Sequence, residues 1–318
     1  MFFSKIIVIV GMLLVTSIAT ASEYPSRPIK VIVPFPPGGG VDIVARIVIP
    51  KFAEQMGQPV IIENKAGAGG TLGSAEAAKA KPDGYTLLMV YDSHALNQYF
   101  YKLSYDTFTS FDYLMELVSI PMLLVTTRTS PINTVPEFIA YAKTKDALTY
   151  GSVGPGSSNH LNGYILSEKA NINTIHIPYK GGGPMLLAGM TGEVDFLIAT
   201  MPIALPQLKE NGKLKAIASG TKHRTIQFPN LPTIAETLPG YEASAWVGLV
   251  GPAGLPKDVQ AKIILAMKQT LNSPEIKTKM IADGFNIVAS NPTEFLTKVR
   301  TDADVLGKFI VRNQIKAE

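Results

Sequence analysis

Short apolar runs alternate along this chain with glycine-rich turns and with segments whose apolar residues recur at helical spacing. The run IKVIVPF, from residue 29, is rich in β-branched residues, which is typical of a buried parallel strand. Three glycines follow it, and a predicted helix then continues to Gly57, with Pro50 expected to kink or split it. The apolar positions of that helix are Val41, Val44, Val48, Phe52 and Met56.

The same order of strand, glycine turn and helix recurs in two series. The first continues with PVIIEN, KAGAGGTLG, a small-residue helix over 74–80 and the strand YTLLMVY. The second contains LTYGSVGPGSSNH, TIHIPYKGGGP, EVDFLIAT and KLKAIAS. Strands that alternate with helices predict parallel sheets covered on both faces, so the fold class is α/β. The two sets of glycine turns then predict two lobes whose turns face one another across a ligand cleft.

Helix starts are marked by capping residues and prolines. Thr134 and Glu137 have the spacing of a capping box, and Glu294 follows Asn291 at the same distance. Two further helices are expected near Pro256 and Pro274.

The first 21 residues have the pattern of an export signal. Lys5 precedes an apolar run from Ile6 to Ile18, and Ala19-Thr-Ala21 supplies the small residues that signal peptidase requires. The run is too short for a membrane span, which needs about 20 apolar residues. We therefore predict a cleaved signal peptide, 1–21, and a periplasmic location.

Composition narrows the function classes further. The 318 residues are 46% hydrophobic, carry a net charge of +4 and include no cysteine. A mild charge without basic clusters argues against nucleic-acid binding, and the lack of cysteine excludes disulfides and thiolate chemistry.

The motifs of common enzymes are also missing. There is no Walker sequence, and GAGGTLG has Leu72 where a dinucleotide fingerprint needs its third glycine. Ser157 and Ser158 lie close to His160, but no nucleophile elbow is present, so hydroxyls that cap a helix are the favoured interpretation. The four histidines lack the spacing of a metal motif, so neither a metal nor a cofactor is expected.

Neutral donors remain as the candidate chemistry. They are the backbone N–H groups of 38–40, 67–70 and 154–158 and the hydroxyls of Ser152, Ser157 and Ser158. A hydrogen bond to a carboxylate contributes about 1.5–3 kcal/mol, so four to six of them suffice for micromolar binding. Such donors suit reversible capture of an anion better than chemistry.

Several motifs, in this order, resemble those of the Bug family of periplasmic solute-binding proteins. They include YPSRPIKVIVPFPPGGGVDIVAR, GQPVIIENKAGAGGTLGSAEAAKAKPDGYTLLM, YGSVGPGSSNHL, HIPYKGGGP and PGYEASAWVGLVGPAGLP. The resemblance implies a type II periplasmic binding-protein fold with lobe one at 22–121 and 243–318 and lobe two at 122–242. It implies capture of a small organic carboxylate, delivery to the permease subunits of a tripartite tricarboxylate transporter, and a monomeric chain that is not an enzyme.

The resemblance also implies which residues contact the ligand. In lobe one these are Phe35, Pro36, Pro37, Gly38, Gly39, Gly40, Gly67, Ala68, Gly69, Gly70, Asp92, Ser93 and His94. In lobe two they are Ser152, Gly154, Gly156, Ser157, Ser158, Asn159, His160, Tyr179 and Lys180. Asp42 is expected to cap the first helix.

Two departures from the family pattern leave the ligand open. Many family members have an acidic or aromatic residue where this chain has Ala199-Thr-Met201. Small polar residues are common in the family where this chain has Tyr91-Asp92. Asp92 either caps the helix that follows it, which is the favoured interpretation, or pairs with a cationic group of the ligand. Two alternative functions stay open as well: a co-receptor for a signalling system, and a periplasmic hydrolase or isomerase on the same scaffold.

The export signal gives a first prediction. Expression of the full chain in a Gram-negative host should yield a periplasmic protein that begins at Ser22, because signal peptidase cleaves after the small residue Ala21. N-terminal sequencing checks this. A start upstream of residue 21, or a chain retained in the membrane fraction, would contradict it.

Overall fold

Two sheets joined by one long strand form the centre of the computed structural model, which describes residues 24–316. The predicted signal peptide lies outside these described residues. The strands are β1 Ile29–Val33, β2 Val60–Asn64, β3 Thr86–Tyr91, β4 Phe111–Thr127, β5 Leu148–Ser152, β6 Thr174–Pro178, β7 Phe196–Thr200, β8 Leu214–Ser219, β9 Ser244–Pro252 and β10 Asn286–Ile287. The helices are α1 Gly40–Met56, α2 Thr71–Ala78, α3 Ser93–Phe100, α4 Val135–Ala142, α5 Ser158–Ala170, α6 Gly182–Thr191, α7 Met201–Leu208, α8 Lys257–Asn272, α9 Pro274–Ala282 and α10 Pro292–Arg312.

The long strand β4 changes partners part of the way along. Residues 111–121 pair with β9 in the first sheet, whereas residues 122–127 pair with β7 and β8 in the second. The first sheet and its helices form lobe one, and the second forms lobe two. The exact lobe limits given above remain a prediction, and the change of partners after Pro121 supports them.

Each sheet combines the expected parallel strands with antiparallel ones. β1 is parallel to β2 and β3, and β5 is parallel to β6 and β7, as the alternation of strands and helices predicts. However, β9 runs antiparallel to both β3 and β4, and β4 runs antiparallel to β7 and β8. An antiparallel neighbour needs no helical crossover, so these long central strands can connect the lobes directly.

Capping residues start the helices where the sequence predicts them. Thr134 accepts a hydrogen bond from Glu137 N at the start of α4, and the Asn291–Glu294 capping box is complete at α10. Pro50 does not split its helix, since α1 runs unbroken through it. Buried apolar side chains precede and follow Pro50, and their packing holds the helix together across the missing N–H.

Each lobe has its own buried core, and helix α10 covers one face of the first sheet. There the indole N–H of Trp246 donates to Asp302 Oδ2 at 2.7 Å. Within residues 24–316, none of the helices combines the length and the apolar character that a bilayer span requires.

Glu116 on β4 is a largely buried carboxyl group near this core. Its residue is 8% exposed, and burial raises the pKa of its carboxyl to about 7, with Asp302 adding to the rise and Lys298 opposing it. Since the pKa is higher in the folded chain than in the unfolded one, ionisation of Glu116 destabilises the fold as pH rises from about 4.5 towards 7.

Glu116→Gln should therefore stabilise the protein at high pH. We expect a gain of roughly 2 kcal/mol at pH 8.5, or about 3–5 °C in Tm, that disappears at pH 4.5, where the wild-type carboxyl is neutral when folded. Thermal unfolding at both pH values checks this, with the exposed Glu210→Gln as the matched control. An equal effect at both pH values would contradict the assignment.

Candidate functional site

The loop after β1 is shaped by the buried carboxylate of Asp42. It accepts hydrogen bonds from Gly38 N at 2.8 Å, Asn64 Nδ2 at 2.9 Å and Arg46 Nε at 2.7 Å. Burial opposes ionisation, but the hydrogen bonds from Arg46, Gly38 and Asn64 outweigh it and hold the pKa of Asp42 below its usual value. Asp42 thus organises the loop, while Gly39 occupies the N-cap position of α1. Because Gly38 N–H is already used, the expectation of a free donor there was wrong.

The second glycine loop of lobe one depends on unusual backbone angles. Residues 67–70 all have positive φ; three of them are glycines, which enter this region without strain, and the fourth is Ala68. Gly69 O accepts hydrogen bonds from Asn97 Nδ2 at 3.1 Å and Ser93 Oγ at 3.4 Å, so α3 holds this loop in place. A Cβ on Gly69 would meet Asn97 Oδ1 at 3.0 Å. Nothing in the sequence pattern had indicated Asn97.

His94 lies inside lobe one rather than at an open cleft surface. It is 2% exposed, and its ring contacts those of Tyr105, Phe111 and Tyr113. Burial lowers the pKa of His94 to about 4, so the ring is neutral at physiological pH. The structure therefore gives His94 a packing role, and we leave it out of the site.

The loop of lobe two uses many of its own donors. Gly154 N donates to Ser152 Oγ at 2.9 Å, and Gly156 N donates to His160 Nδ1 at 3.1 Å. Ser157 caps α5 by accepting from His160 N at 3.3 Å, which confirms the capping interpretation for Ser157 but not for Ser158. The loop is therefore preorganised, but the N–H groups of Gly154 and Gly156 are not free donors.

Three aromatic side chains support that loop from behind. The rings of His160 and His176 stack with centroids 3.9 Å apart, and Tyr150 lies beside both. Burial and then the neighbouring His176 lower the pKa of His160 to about 4. His176 Nε2 lies 2.6 Å from Ser152 Oγ, which links the histidine stack to the loop.

The remaining lobe-two residues divide into anchored and exposed groups. Asn159 Nδ2 donates to Ile198 O at 2.6 Å and so fixes α5 to the middle of β7. Tyr179 OH donates to Glu193 Oε1 at 2.8 Å, and Lys180 is exposed beside it.

Three polar side chains meet where the lobes touch. Tyr91 and Asp92 come from the end of β3 in lobe one, and Ser158 comes from the start of α5 in lobe two. Burial raises the pKa of Asp92 to about 7 while the Ser158 hydroxyl opposes the rise, and burial raises the pKa of Tyr91 as well. Ser158 is 6% exposed, and within residues 24–316 its Oγ has no hydrogen-bond partner.

Contacts cross the boundary between the lobes at three places. A Cβ on Gly156 would lie 2.5 Å from the Phe100 ring of the opposite lobe. Further along, Arg312 of α10 forms two hydrogen bonds to the Glu168 carboxylate of α5 at 2.8 and 3.0 Å. On another side, Gln227 Nε2 donates to Ile281 O at 3.0 Å.

The groups assembled at this site suit the binding of an anion. The part of the chain from 24 to 316 contains no group of three or more acidic or histidine side chains arranged to hold a metal ion. What the junction offers are one buried hydroxyl, the start of a 13-residue helix and a buried carboxyl group. A helix start with a hydroxyl favours an anion, and the two lobes enclose it.

The fold places this protein in the class of two-lobed periplasmic binding proteins. The structure of the periplasmic binding protein BugD is 31% identical, with a TM-score of 0.82 over 92% of this chain and all of that one. A Rhodopseudomonas palustris protein with adipate, Rpa4515, is 29% identical, with a TM-score of 0.85 over 91% and 97% of the two chains. MatC from the same species with bound malate is 32% identical, with a TM-score of 0.79 over 88% and 98%.

The family follows from the sequence. Residues 44–313 match the family described as the tripartite tricarboxylate transporter family receptor. The match covers most of the chain, so the protein belongs to this family of receptors.

Gly156→Ala should hinder lobe closure. The added methyl group meets Phe100 across the boundary, so we expect ligand affinity to fall by about tenfold or more. Gly154→Ala is the matched control, because Gly154 also has positive φ but has open space where a Cβ would lie. Small-angle scattering and calorimetry with a bound carboxylate measure both effects.

Phe100→Leu in the Gly156→Ala background should restore part of the affinity by making room for the methyl group. Equal losses in Gly154→Ala and Gly156→Ala, without rescue, would show that backbone strain rather than the lobe contact is responsible.

Proposed function

We propose that this protein is an extracytoplasmic receptor that captures a small organic carboxylate between its lobes and delivers it to the membrane subunits of a tripartite tricarboxylate transporter. One observation carries the proposal. Ser158, a buried hydroxyl with no partner among the described residues, lies at the start of α5, where lobe one closes over it.

The physical reason is an unsatisfied anion site. The first N–H groups of α5, from Ser158 and Asn159, have no acceptor within the helix, and the helix dipole favours negative charge there. A ligand carboxylate would accept from these N–H groups and from the Ser158 hydroxyl. The adipate and malate carried by two relatives of the same fold are carboxylates, which supports this ligand class.

The proposed contacts are fewer than the sequence predicts. We retain the backbone of Gly40, residues 67–69 of the second glycine loop, and the junction residues Asp92, Ser93, Ser158 and Asn159. Gly39 N–H and Gly70 N–H already donate within their own loops, to Pro36 O and Gly67 O. Phe35 contributes a wall, since its ring meets that of Tyr91 edge to face at a centroid distance of 5.8 Å. The groups whose hydrogen-bonding capacity is already used support the site from outside it: Gly38, Ser152, Gly154, Gly156 and Ser157.

The setting of this activity follows the family. The export pattern at residues 1–21 supports secretion to the periplasm, and family membership supports docking to a permease. We propose a monomer without catalytic activity, since the junction residues combine donors for an anion but no assembled nucleophile and base. Closure by binding to both lobes would present one defined shape to the membrane partner.

The test is a binding screen on the mature chain, residues 22–318. We expect at least one mono-, di- or tricarboxylate to raise Tm and to bind with micromolar affinity by calorimetry. Ser158→Ala should lower the affinity for that ligand by about tenfold, because one hydrogen bond to a charged group is lost. The exposed Ser104→Ala serves as control. Absence of carboxylate binding at millimolar concentration, or turnover of carboxylate esters, would contradict the proposal.

A further inference from the structure

Asp92 is not the helix cap that its position in the sequence suggests. It occupies the N-cap position of α3, but its side chain accepts no capping hydrogen bond, so the favoured interpretation was wrong. Its Oδ1 is buried, and the described part of the chain offers this atom no hydrogen-bond partner. A buried carboxyl oxygen without a donor is costly, which indicates that something outside the chain completes it.

Among residues 24–316, no unpaired cation adjoins Asp92. From α10, Asp302 and Lys298 face it, but the Lys298 ammonium is 2.7 Å from Asp302 Oδ1. From α5, the Ser158 hydroxyl faces it across the lobe boundary, and Tyr91 and the Ser93 N–H adjoin it on its own side. Ser158 and Asp92 thus face each other from opposite lobes. The Ser158 hydroxyl is close enough to lower the pKa of Asp92, but among residues 24–316 neither Ser158 Oγ nor Asp92 Oδ1 forms a hydrogen bond of normal geometry.

A ligand with only carboxylates cannot satisfy both groups. Its oxygens accept hydrogen bonds, and like charges repel strongly at a buried site. A donor group would instead point at Asp92 while a carboxylate of the same molecule lies at the start of α5. We propose that the ligand is a carboxylate bearing an ammonium or hydroxyl donor, which Asp92 binds at the lobe junction beside Ser158. This inference rests on the proposed function and names its ligand class.

The electrostatics of the junction support this assignment. Burial raises the pKa of Asp92 to about 7, because the Ser158 hydroxyl, the Ser93 N–H and the charge of Lys298 do not offset the loss of water around the carboxylate. An ammonium at Oδ1 would supply that compensation and favour the ionised carboxyl. A ligand with carboxylates alone would favour the protonated carboxyl and would bring a proton into the complex.

Matched ligands isolate the donor. Succinate, malate and aspartate share a four-carbon dicarboxylate frame and differ at one carbon, which carries hydrogen, hydroxyl or ammonium. Glutarate with glutamate, and adipate with 2-aminoadipate, repeat the comparison at greater length. Calorimetry on the mature chain should show that, at the length the site accepts, the donor-bearing member binds at least tenfold more tightly than the unsubstituted one. The hydroxyl and ammonium members of the first set show which donor is preferred.

Asp92→Asn tests whether this residue binds the donor group of the ligand. We expect about a 30-fold loss or more for an ammonium ligand, the usual result of removing one partner of a buried charge pair, and about a threefold change at most for the unsubstituted analogue. Asp304→Asn, an exposed aspartate of α10 paired with Lys308, is the matched control.

The pH dependence of affinity gives a second readout, because it should have opposite directions for ligands with and without an ammonium group. Between pH 6.0 and 8.5, affinity for an ammonium ligand should stay level or rise with pH, because it needs ionised Asp92. Affinity for an unsubstituted dicarboxylate should fall above pH 7, and Asp92→Asn should abolish that fall.

The outcomes separate the two proposals. Tighter binding of unsubstituted members, or equal losses for both members in Asp92→Asn, would overturn the assignment of Asp92 while leaving a carboxylate receptor. Failure of every carboxylate to bind would overturn the proposed function itself and the inference with it.

Discussion

The pairing of strand β4 with both sheets is the constraint on which the arrangement of the molecule depends. Its first part belongs to lobe one and its last part to lobe two, so the lobes share one continuous backbone ladder. A second connection lies beside it, where Met122 N donates to Ala243 O at 3.4 Å and Ala243 N donates to Gly220 O at 2.7 Å. The lobes can therefore move relative to each other only by bending at these two adjacent connections. Their loops stay opposite each other during such a motion.

The opposed position of these loops explains why Asp92 and Ser158 are buried at the junction of the lobes. The same closure that brings Phe100 against Gly156 also removes water from Asp92 and Ser158, and desolvation is the largest influence on the Asp92 carboxyl. The loops that surround them are held by internal hydrogen bonds, such as the one from Gly38 N to the Asp42 carboxylate. A preorganised loop loses little conformational entropy when a ligand binds. More of the free energy of the ligand contacts therefore appears as affinity.

The sequence predicts this fold well where local signals decide the outcome. Periodicity and caps locate α4 and α10, and the strand–glycine–helix order identifies an α/β fold. The antiparallel course of β9 and the continuity of α1 through Pro50 depend on tertiary pairing and packing, which no local pattern encodes. The site shows the same limit. The sequence pattern identifies loops that carry hydrogen-bond donors, but it does not show which of these donors already bond within the loop.

Asp92 shows that limit in a single residue, because the sequence alone makes a helix cap the simpler interpretation. Only the approach of the opposite lobe shows that its carboxyl group is buried beside Ser158.

A crystal structure of the mature chain with the tightest carboxylate ligand is the most direct test of the whole account. It should show a ligand carboxylate at the start of α5, in contact with Ser158, with both lobes enclosing it. A ligand bound outside the lobe junction, or contacts to one lobe alone, would contradict the central claim that this protein captures a carboxylate by closing around it.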